Sequence, residues 1–407
     1  MEKVDIIIEN ANEILTLKGV NQPRKKKEMN NLGIIKKGSI AIKNGKIIDV
    51  GEHLKYDSER KIDAEGKIIL PGFVDPHTHV VFSGSREFEL DMKLKGYSYM
   101  DILNSGGGIF YTVNKTRKSS FNNLLEESKL RLDNMLKYGT TTCEGKSGYG
   151  LNFDSELKIL KVLKKLDDVH PIDIIPTFLG AHAIPEEYRS EEYVNLIIND
   201  MIPKFSKYVK FCDVFCEKGV FTVDQSRRIL NQSKNFGLIP KIHADEIVDT
   251  GGAALAAEVR AISADHLLKS SDDGLKSMAE KGVIGILLPG TPFSLMMSEY
   301  ANARKMIDMN VPIALATDLN PNCWIENMQF IIQLACLMMK MTPAEAITAS
   351  TFNAACALGL NDSIGSIEKN KQADIIMLDC PNHIFITYHF GINLVDLVIK
   401  RGKIINF

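Results

Sequence analysis

The chain has 407 residues, 45% hydrophobic and 25% charged, and its 49 basic and 51 acidic residues leave a formal net charge of −2. These values are typical of a globular protein with a large core, and they provide no overall field that would attract nucleic acid or an anionic membrane. No stretch reaches the roughly 18 continuous apolar residues that a membrane span needs. The seven cysteines are scattered, without a CxxC pair, which favours a reducing compartment. We therefore expect a cytoplasmic protein without nucleic-acid or membrane partners.

Both ends of the chain have the character of β-strands. Residues 1–66 are rich in β-branched residues and contain Asn44-Gly45, a pair typical of a two-residue hairpin turn. Residues 369–407 have the same texture, with a second turn predicted at Arg401-Gly402. The basic run at 23–30 resembles a nucleic-acid patch, but its place between strand-like segments favours a solvated hairpin loop. Neither end has enough strands to bury a face alone, so we expect the two to pair into one small β-sandwich.

The middle of the chain, residues 67–368, alternates short apolar runs with stretches of helical period, as repeated strand–helix units do. Helices are predicted between most of the runs, for example after Thr222, which forms a capping-box pattern with Gln225. The eight runs lie at 67–79, 139–150, 171–182, 212–220, 239–246, 261–267, 283–289 and 311–318. Eight units predict an α/β fold, a (β/α)8 TIM-like barrel. An open doubly wound sheet would share this alternation, but no GxGxxG follows the first strand.

Five of the nine histidines fall where predicted barrel strands end, which is where the chemistry of a barrel gathers. Two carboxylates and one tyrosine follow the same rule, and the full set is His77, His79, His182, His243, His266, Glu246, Asp318 and Tyr149. A His-x-His pair on a strand directs both imidazoles to one side, although such a pair can also be a hydrogen-bonded part of a core. A third histidine and a carboxylate at other strand ends favour a catalytic Zn²⁺ or Fe²⁺ site. Such an ion lowers the pKa of bound water from 15.7 towards about 7.

Three further features allow two interpretations each. A glutamate at position 246 is ordinarily a surface charge or a helix-start acid, but beside an activated water it can carry a proton to a leaving nitrogen, and we favour that role. His266 could orient a carbonyl or a hydroxide, or be structural. The glycines of GGGI, 106–109, could cradle a phosphate, but no GxxxxGK[ST] motif is present. We expect them to give flexibility to the connection 80–121, which could cover the barrel mouth.

These residues, with the motifs PGFVDPHTH and GTTT, resemble the amidohydrolase superfamily of metal-dependent hydrolases. The motifs HTHVVFSGSREFE, KSGYGL, FLGAHAIPEEY, HADE, SADHL and TDLNP are similar, more narrowly, to the imidazolonepropionase family. The resemblance covers essentially the whole chain. It implies hydrolysis of the cyclic amide bond of 4-imidazolone-5-propanoate to N-formimidoyl-L-glutamate in histidine degradation. It also implies one zinc or iron ion per subunit and a homodimer.

The resemblance implies roles for individual residues. The metal ligands would be His77, His79, His243 and Asp318, and the catalytic residues Glu246, His266 and Asp318. Substrate contacts would come from Arg86, Tyr149, His182, Glu246 and Asn320. A planar guanidinium on the loop after the first barrel strand suits the carboxylate of a propanoate tail, whereas a surface position is the commoner fate of an arginine.

One departure from the family falls among the substrate contacts. Many members follow the motif after the eighth strand with Gly-Ser or Gly-Thr, whereas this chain has Asn322 and Cys323. Asparagine tolerates the left-handed backbone that glycine supplies, so the backbone path could survive, while a thiol is a weaker hydrogen-bond partner than a hydroxyl. Two rival functions share the pattern: a sister amidohydrolase that deaminates a guanine- or cytosine-like base, and a non-catalytic barrel that serves as a binding module. A neutral base needs no carboxylate anchor, and a non-catalytic barrel needs no metal ligands.

Overall fold

The computed structural model describes residues 3–407 and contains two eight-stranded sheets, one from the ends of the chain and one from its middle. In chain order the strands of the described residues are β1 (Lys3–Leu15), β2 (Ile34–Lys43), β3 (Lys46–Glu52), β4 (Asp57–Asp63), β5 (Ile68–Pro71), β6 (Phe73–Asp75), β7 (Thr140–Lys146), β8 (Asp173–Ala181), β9 (Phe211–Cys216), β10 (Ile239–Ala244), β11 (Ser263–His266), β12 (Ile284–Leu287), β13 (Ile313–Leu315), β14 (Ile375–Leu378), β15 (Val395–Lys400) and β16 (Lys403–Ile405).

The α-helices lie mainly between the strands of the middle sheet. In chain order they are α1 (Glu87–Leu94), α2 (Tyr99–Asn104), α3 (Ile109–Lys118), α4 (Phe121–Lys137), α5 (Phe153–Val169), α6 (Ser190–Leu196), α7 (Ile202–Phe205), α8 (Val223–Asn235), α9 (Gly252–Glu258), α10 (Asp272–Lys281), α11 (Gly290–Ser294), α12 (Ala303–Asp308), α13 (Met328–Met339), α14 (Pro343–Ala349) and α15 (Phe352–Ala357). Among residues 3–407, no helix combines the length and the apolar character needed to cross a membrane.

The middle sheet confirms the predicted barrel. Strands β6 to β13 are parallel and follow one another in chain order, and helices pack between them. Local signals set the helix ends: the side chains of Ser120, Asn152 and Thr222 accept from the first turns of α4, α5 and α8. The predicted capping box is present, with Thr222 and Gln225 each accepting from the other's backbone.

The barrel is closed between its first and last strands by hydrogen bonds just beyond both. Asp75, fully buried, accepts from the backbone of Thr317 at 3.1 Å and from its hydroxyl at 2.5 Å. The N–H of Asp318 donates to the carbonyl of His77 at 3.1 Å, and the N–H of His79 donates to Leu319 at 2.8 Å. The seam therefore fixes the His-x-His segment directly beside Asp318.

The predicted first barrel strand, 67–79, is divided between the two sheets. Strand β5 pairs with β14 and β1 in the terminal sheet, and only β6 pairs with β7 in the barrel. Gly72 stands at the division, where a Cβ would lie 2.3 Å from the side chain of Thr141. Its N–H donates to Asp374 at 3.0 Å. The apolar run is continuous because both halves are buried, so its composition did not reveal the change of sheet.

The terminal sheet combines both ends of the chain, as predicted, in the order β16-β15-β14-β5-β1-β2-β3. Strand β1 pairs with β4 along its first half and with β5 near its end, with an irregularity at Asn10, whose φ is +63°. Both predicted turns are present, since Asn44-Gly45 and Arg401-Gly402 join antiparallel strands with positive φ throughout.

The basic run at 23–30 lies between β1 and β2, as expected of a hairpin connection, but it is not wholly solvated. Residues Lys26–Asn30 form a 3₁₀ helix in which Met29 is buried. Arg24 is also buried and donates to the carbonyls of Leu17 and Asn31. The expectation of a solvated loop was wrong for these two side chains, because Met29 packs into the main hydrophobic core and Arg24 lies over the ring of Phe352.

Candidate active site

A cavity of about 130 Å³ opens at the carboxyl ends of the barrel strands. Most of the residues singled out from the sequence line it, and they come from the ends of six of the eight strands and from the long connection after β6. The lining residues are His79, Arg86, Ile109, Tyr149, His182, Phe215, His243, Glu246, His266, Thr291, Asp318, Asn320 and Asn322. A wider cavity of about 770 Å³ shares Arg86 and Asn322 with it and leads outward between α1 and the segment 293–300.

The four residues suggested as metal ligands lie together at the base of the small cavity. His77, His79 and His243 each offer a ring nitrogen, and these atoms lie within 4.8 Å of one another. The Oδ1 of Asp318 is 3.4 Å from His77 Nε2 and 3.7 Å from His79 Nε2. Thr291, which sequence reasoning missed, donates its hydroxyl to the other oxygen of Asp318 at 2.6 Å. One small volume therefore faces three imidazoles and an oriented carboxylate.

The protonation state of the cluster fits a bound cation. Burial and the neighbouring histidines hold the pKa of His79 and of His243 well below the usual range, so their lone pairs are available at neutral pH. Burial and Lys146 disfavour a charged His77, but Asp265 and Asp318 outweigh them and raise the pKa of His77 to about 9. Burial alone would protonate Asp318, yet His77 holds the pKa of this carboxyl well below its usual range. Asp318 is therefore ionised, and its negative charge stabilises a positive charge on the neighbouring His77.

One atom of the cluster fits the role of a metal ligand. His77 Nδ1 is bonded to Asp265 at 2.6 Å, which leaves Nε2 facing Asp318. This Nε2 is buried and has no hydrogen-bond partner among the described residues. The raised pKa of His77 means that, without an ion, this nitrogen carries a proton towards Asp318, and a bound cation would displace that proton. Three imidazole nitrogens and one carboxylate, with space beside them, form the donor set of an open catalytic site for a divalent ion.

Glu246 and His266 lie on the neighbouring strand ends. The Oε1 of Glu246 is 3.7 Å from His266 Nδ1, and the glutamate side chain is 19% exposed. Burial raises the pKa of Glu246, with His266 opposing the shift. His266 has a φ of +75°, a rare conformation for a histidine that directs its ring towards His77 and His243, with centroids 5.5 and 5.3 Å away. The structure thus brings a partly desolvated carboxylate and an imidazole together at the wall of the cavity.

Tyr149 and His182 form an aromatic wall beside His79. The ring of His182 stacks on His79 with centroids 4.9 Å apart, and Tyr149 packs edge-on against His182 at 5.3 Å. Burial lowers the pKa of His182 to about 4, so this ring is neutral at physiological pH. Its Nδ1 donates to the carbonyl of Gly148 at 3.1 Å, which leaves Nε2 as an acceptor.

Arg86 reaches the rim of both cavities, and its guanidinium is held by a residue that sequence reasoning missed. Nε and Nη2 donate to the two oxygens of Glu89, each at 2.7 Å. Glu89 is buried and also accepts from the N–H of Gly108 at 2.7 Å, which ties α1 to the glycines of the 106–109 stretch. Gly106 and Gly108 have φ of +85° and +81°, so the turn before α3 needs glycine. The remaining nitrogen of Arg86, Nη1, does not take part in the hydrogen bonds to Glu89.

Asn322 and Cys323, the two positions that depart from the family pattern, lie in the loop after β13 and have different surroundings. Asn320 accepts from the N–H groups of Asn322 and Cys323 at 2.8 and 3.0 Å and so fixes the loop from within. Asn322 lines both cavities and does not adopt a left-handed φ. Cys323 is fully buried, with its sulfur 3.5 Å from the hydroxyl of Ser294. The structure thus places Asn322 on the cavity lining, where its amide oxygen accepts from Lys93 at 3.0 Å, and the thiol of Cys323 beneath the loop.

Comparison with known proteins agrees with this arrangement. Residues 68–405 match the model of the Amidohydrolase family. The chain belongs to the amidohydrolase family. It is 51% identical to the imidazolonepropionase of Alkaliphilus metalliredigens (strain QYMF), over 99% of this chain and 98% of the relative. It is 48% identical to the imidazolonepropionase of Clostridium tetani (strain Massachusetts / E88), over 100% of this chain and 99% of the relative. These relatives place it among the imidazolonepropionases of the amidohydrolase family.

Solved amidohydrolase structures share its fold at lower identity. A zinc-containing adenosine deaminase from Xanthomonas campestris superposes with a TM-score of 0.74 at 17% identity, covering 99% of this chain and 93% of that one. The ochratoxinase of A. niger gives a TM-score of 0.71 at 16% identity, covering 99% of this chain and 96% of that one. At these identities the similarity establishes the architecture alone.

Proposed function

We propose that this amidohydrolase opens the ring of 4-imidazolone-5-propanoate with water and yields N-formimidoyl-L-glutamate. The observation that carries the proposal is the placement of Arg86 at the rim of the cavity whose base holds the histidine and aspartate cluster. The imidazolonepropionases that it resembles over their full length support the same substrate. A small ring with a carboxylate tail needs a reactive centre and a cation at one fixed separation, and this cavity offers both.

The cluster at the base would hold one divalent ion, for which we propose zinc or iron through His77, His79, His243 and Asp318. Such an ion lowers the pKa of water and polarises a carbonyl, which is the Lewis-acid chemistry that amide hydrolysis needs. Asp265 orients His77 and Thr291 orients Asp318, so the donor atoms are fixed in advance.

Glu246 and His266 would move and hold the proton. The water oxygen bonds to the ring carbonyl carbon while Glu246 accepts its proton, a role that its raised pKa suits. His266 donates a hydrogen bond to the carbonyl oxygen as negative charge develops there. Glu246 then gives the proton to the ring nitrogen as the carbon–nitrogen bond breaks. The carboxylic acid that forms releases its remaining proton to solvent, so a new carboxylate and a formimidoyl nitrogen result.

The remaining lining residues would position the substrate. Arg86 binds the propanoate with the edge of its guanidinium that Glu89 leaves free. Tyr149 and His182 contact the ring and its polar atoms from the side of His79, with His182 as an acceptor. Asn320 and Asn322 complete the rim.

The proposal also includes the domain boundaries, the oligomeric state and the cellular compartment of the enzyme. We assign residues 67–368 to the metal-dependent barrel and 1–66 and 369–407 to the sandwich, with β5 as the strand at this boundary that pairs in the terminal sheet. The family resemblance supports a homodimer. Seven free cysteines, six of them buried, fit the reducing cytoplasm.

A substrate panel tests the proposal. Metal-loaded protein is incubated with 4-imidazolone-5-propanoate, guanine and cytosine, and each loss is followed by absorbance and mass spectrometry. We expect loss of the imidazolone alone and the appearance of formimidoylglutamate. Persistence of the imidazolone with metal fully loaded would overturn the assignment, and release of ammonia from either base would favour the deaminase alternative.

A further inference from the structure

A group of charged side chains lies inside the barrel directly beneath the histidine cluster. Glu144 and Lys146 come from β7, Asp213 from β9, Lys241 from β10 and Asp265 from β11, and all five are 0% exposed. Three carboxylates and two ammonium groups leave one net negative charge in a medium where unpaired charge is costly. In a buried network of this kind each charged group needs a partner of opposite charge or a hydrogen bond. The contacts of the five side chains show which neighbouring residues they orient.

Two of these carboxylates contact the predicted metal-ligating histidines on the side away from the cavity. Asp265 Oδ2 is 2.6 Å from His77 Nδ1, and Asp213 Oδ2 is 3.0 Å from His243 Nδ1. Each contact keeps the Nδ1 side of its imidazole towards a carboxylate and presents Nε2 to the cavity. The first contact is a hydrogen bond and the second an ion-pair contact without hydrogen-bond geometry, so Asp265 fixes its ring more firmly than Asp213 does.

A single ammonium group connects the two aspartates. Lys146 Nζ is 2.6 Å from Asp213 Oδ2 and 3.4 Å from Asp265 Oδ2, the same oxygens that contact the histidines. Asp213, His243 and Asp265 would by themselves form a second set of converging donors, and the ammonium of Lys146 lies against both carboxylates of that set. Without this charge the two carboxylates would repel each other and turn away from the rings.

The second buried lysine shares Glu144 Oε2 with Lys146, whose Nζ is 3.1 Å from that oxygen, but its other contact differs. Lys241 Nζ is 2.7 Å from Glu144 Oε2 and 2.9 Å from the carbonyl of Pro76. In the structure of residues 3–407, no hydrogen bond or ion pair joins Lys241 to Asp213 or Asp265. Lys241 thus equals Lys146 in charge and burial but does not contact the carboxylates that hold the histidines.

We propose that Lys146 is a positioning residue of the metal centre, which holds Asp213 and Asp265 against His243 and His77 and so sets the affinity of the centre for a divalent ion. Partners behind metal ligands fix ring orientation and ligand basicity, and losing one typically costs about 10- to 100-fold in metal affinity. The inference rests on the metal site of the proposed function. It adds a residue that touches neither the ion nor the substrate.

Two charge-matched double variants test the proposal. Lys146→Met with Glu144→Gln, and Lys241→Met with Glu144→Gln, each remove one positive and one negative charge from the network, so both keep its net charge. Only the first removes the contacts to Asp213 and Asp265. Apo protein is titrated with Zn²⁺ against a chromophoric chelator, and circular dichroism and denaturant unfolding verify that both variants fold.

We expect the Lys146 pair to bind Zn²⁺ about 10- to 100-fold more weakly than the Lys241 pair. Equal affinities of the two pairs, or failure of the unmodified chain to bind Zn²⁺, would overturn the inference. If the Lys146 pair does not fold, Asp213→Asn and Asp265→Asn in the unmodified chain replace it, and wild-type affinity in both would overturn the inference as well. The titration contains no substrate, so its result is separate from that of the substrate panel.

Discussion

The substrate anchor provides the sharpest prediction of specificity. Replacing Arg86 by methionine removes the guanidinium but keeps the aliphatic stem. Nε and Nη2 of Arg86 are engaged with Glu89, so in the proposed function the substrate carboxylate would meet the remaining edge of the group. A charge-assisted hydrogen bond contributes about 1.5–3 kcal/mol. Since about 1.4 kcal/mol corresponds to a factor of ten, kcat/KM for the imidazolone should fall by about 10- to 150-fold.

Most of this loss should appear in KM. The propanoate is remote from the scissile bond, so its binding is nearly equal in the ground and transition states, and kcat should change little. Steady-state kinetics with the propanoate substrate and with its carboxamide analogue separate the two parameters. On the carboxamide, Arg86→Met and the unmodified chain should have similar kcat/KM.

Lys95→Met is the matched control, since Lys95 follows α1 and makes an exposed ion pair with Asp91. Arg86→Met also leaves Glu89 buried without its partner, so the double variant with Glu89→Gln should recover stability but not KM. A kcat/KM within threefold of the unmodified chain, or an equal loss on both substrates, would refute the role of Arg86 as carboxylate anchor.

Three further predictions concern the proton carrier and the fold. Glu246→Gln should retain metal content but lower kcat by about 10²- to 10⁴-fold, the usual contribution of general acid–base catalysis, and near-normal turnover would remove Glu246 from the mechanism. Burial raises the pKa of Glu246, and the protonated acid cannot accept a proton, so kcat/KM should fall as the pH drops through this raised pKa. A pH–rate profile checks this, and the acid limb should disappear in Glu246→Gln. Gly72→Ala should lower the free energy of unfolding by about 1–3 kcal/mol because its Cβ would meet Thr141, and denaturant titration should show partial recovery with Thr141→Ala.

The barrel and the cluster of histidines were predictable because their signals are periodic and local. Strand and helix periods placed eight units, and the chain order of a parallel barrel brings its strand ends to one mouth. His77, His79, His243 and Asp318 could therefore be expected together even though up to 241 positions separate them (318 minus 77). Turn pairs such as Asn44-Gly45 could also be predicted from the sequence, since their conformation depends on adjacent residues.

The supporting residues were harder to predict because their partners are distant in the sequence. Glu89 has no pattern of its own, and only the folded connection brings it to Arg86 and Gly108. Lys146 and Lys241 did carry a signal, since a lysine within a strand of a parallel barrel must be paired or exposed. Which carboxylate pairs with which lysine depends on the register of the strands. The change from the terminal sheet to the barrel at Gly72 could not be predicted from hydrophobicity, since β5 and β6 are both buried.

The most direct test of the account is where the oxygen of water enters. Turnover of 4-imidazolone-5-propanoate in ¹⁸O-water, with the product fragmented by mass spectrometry, should place one ¹⁸O atom in the new carboxylate of N-formimidoyl-L-glutamate. Label on the amidine carbon, in an N-formyl product that keeps the second ring nitrogen as a primary carboxamide, would mean that water attacks the ring at another position. That result would contradict the assignment of this cavity to hydrolysis of the cyclic amide bond.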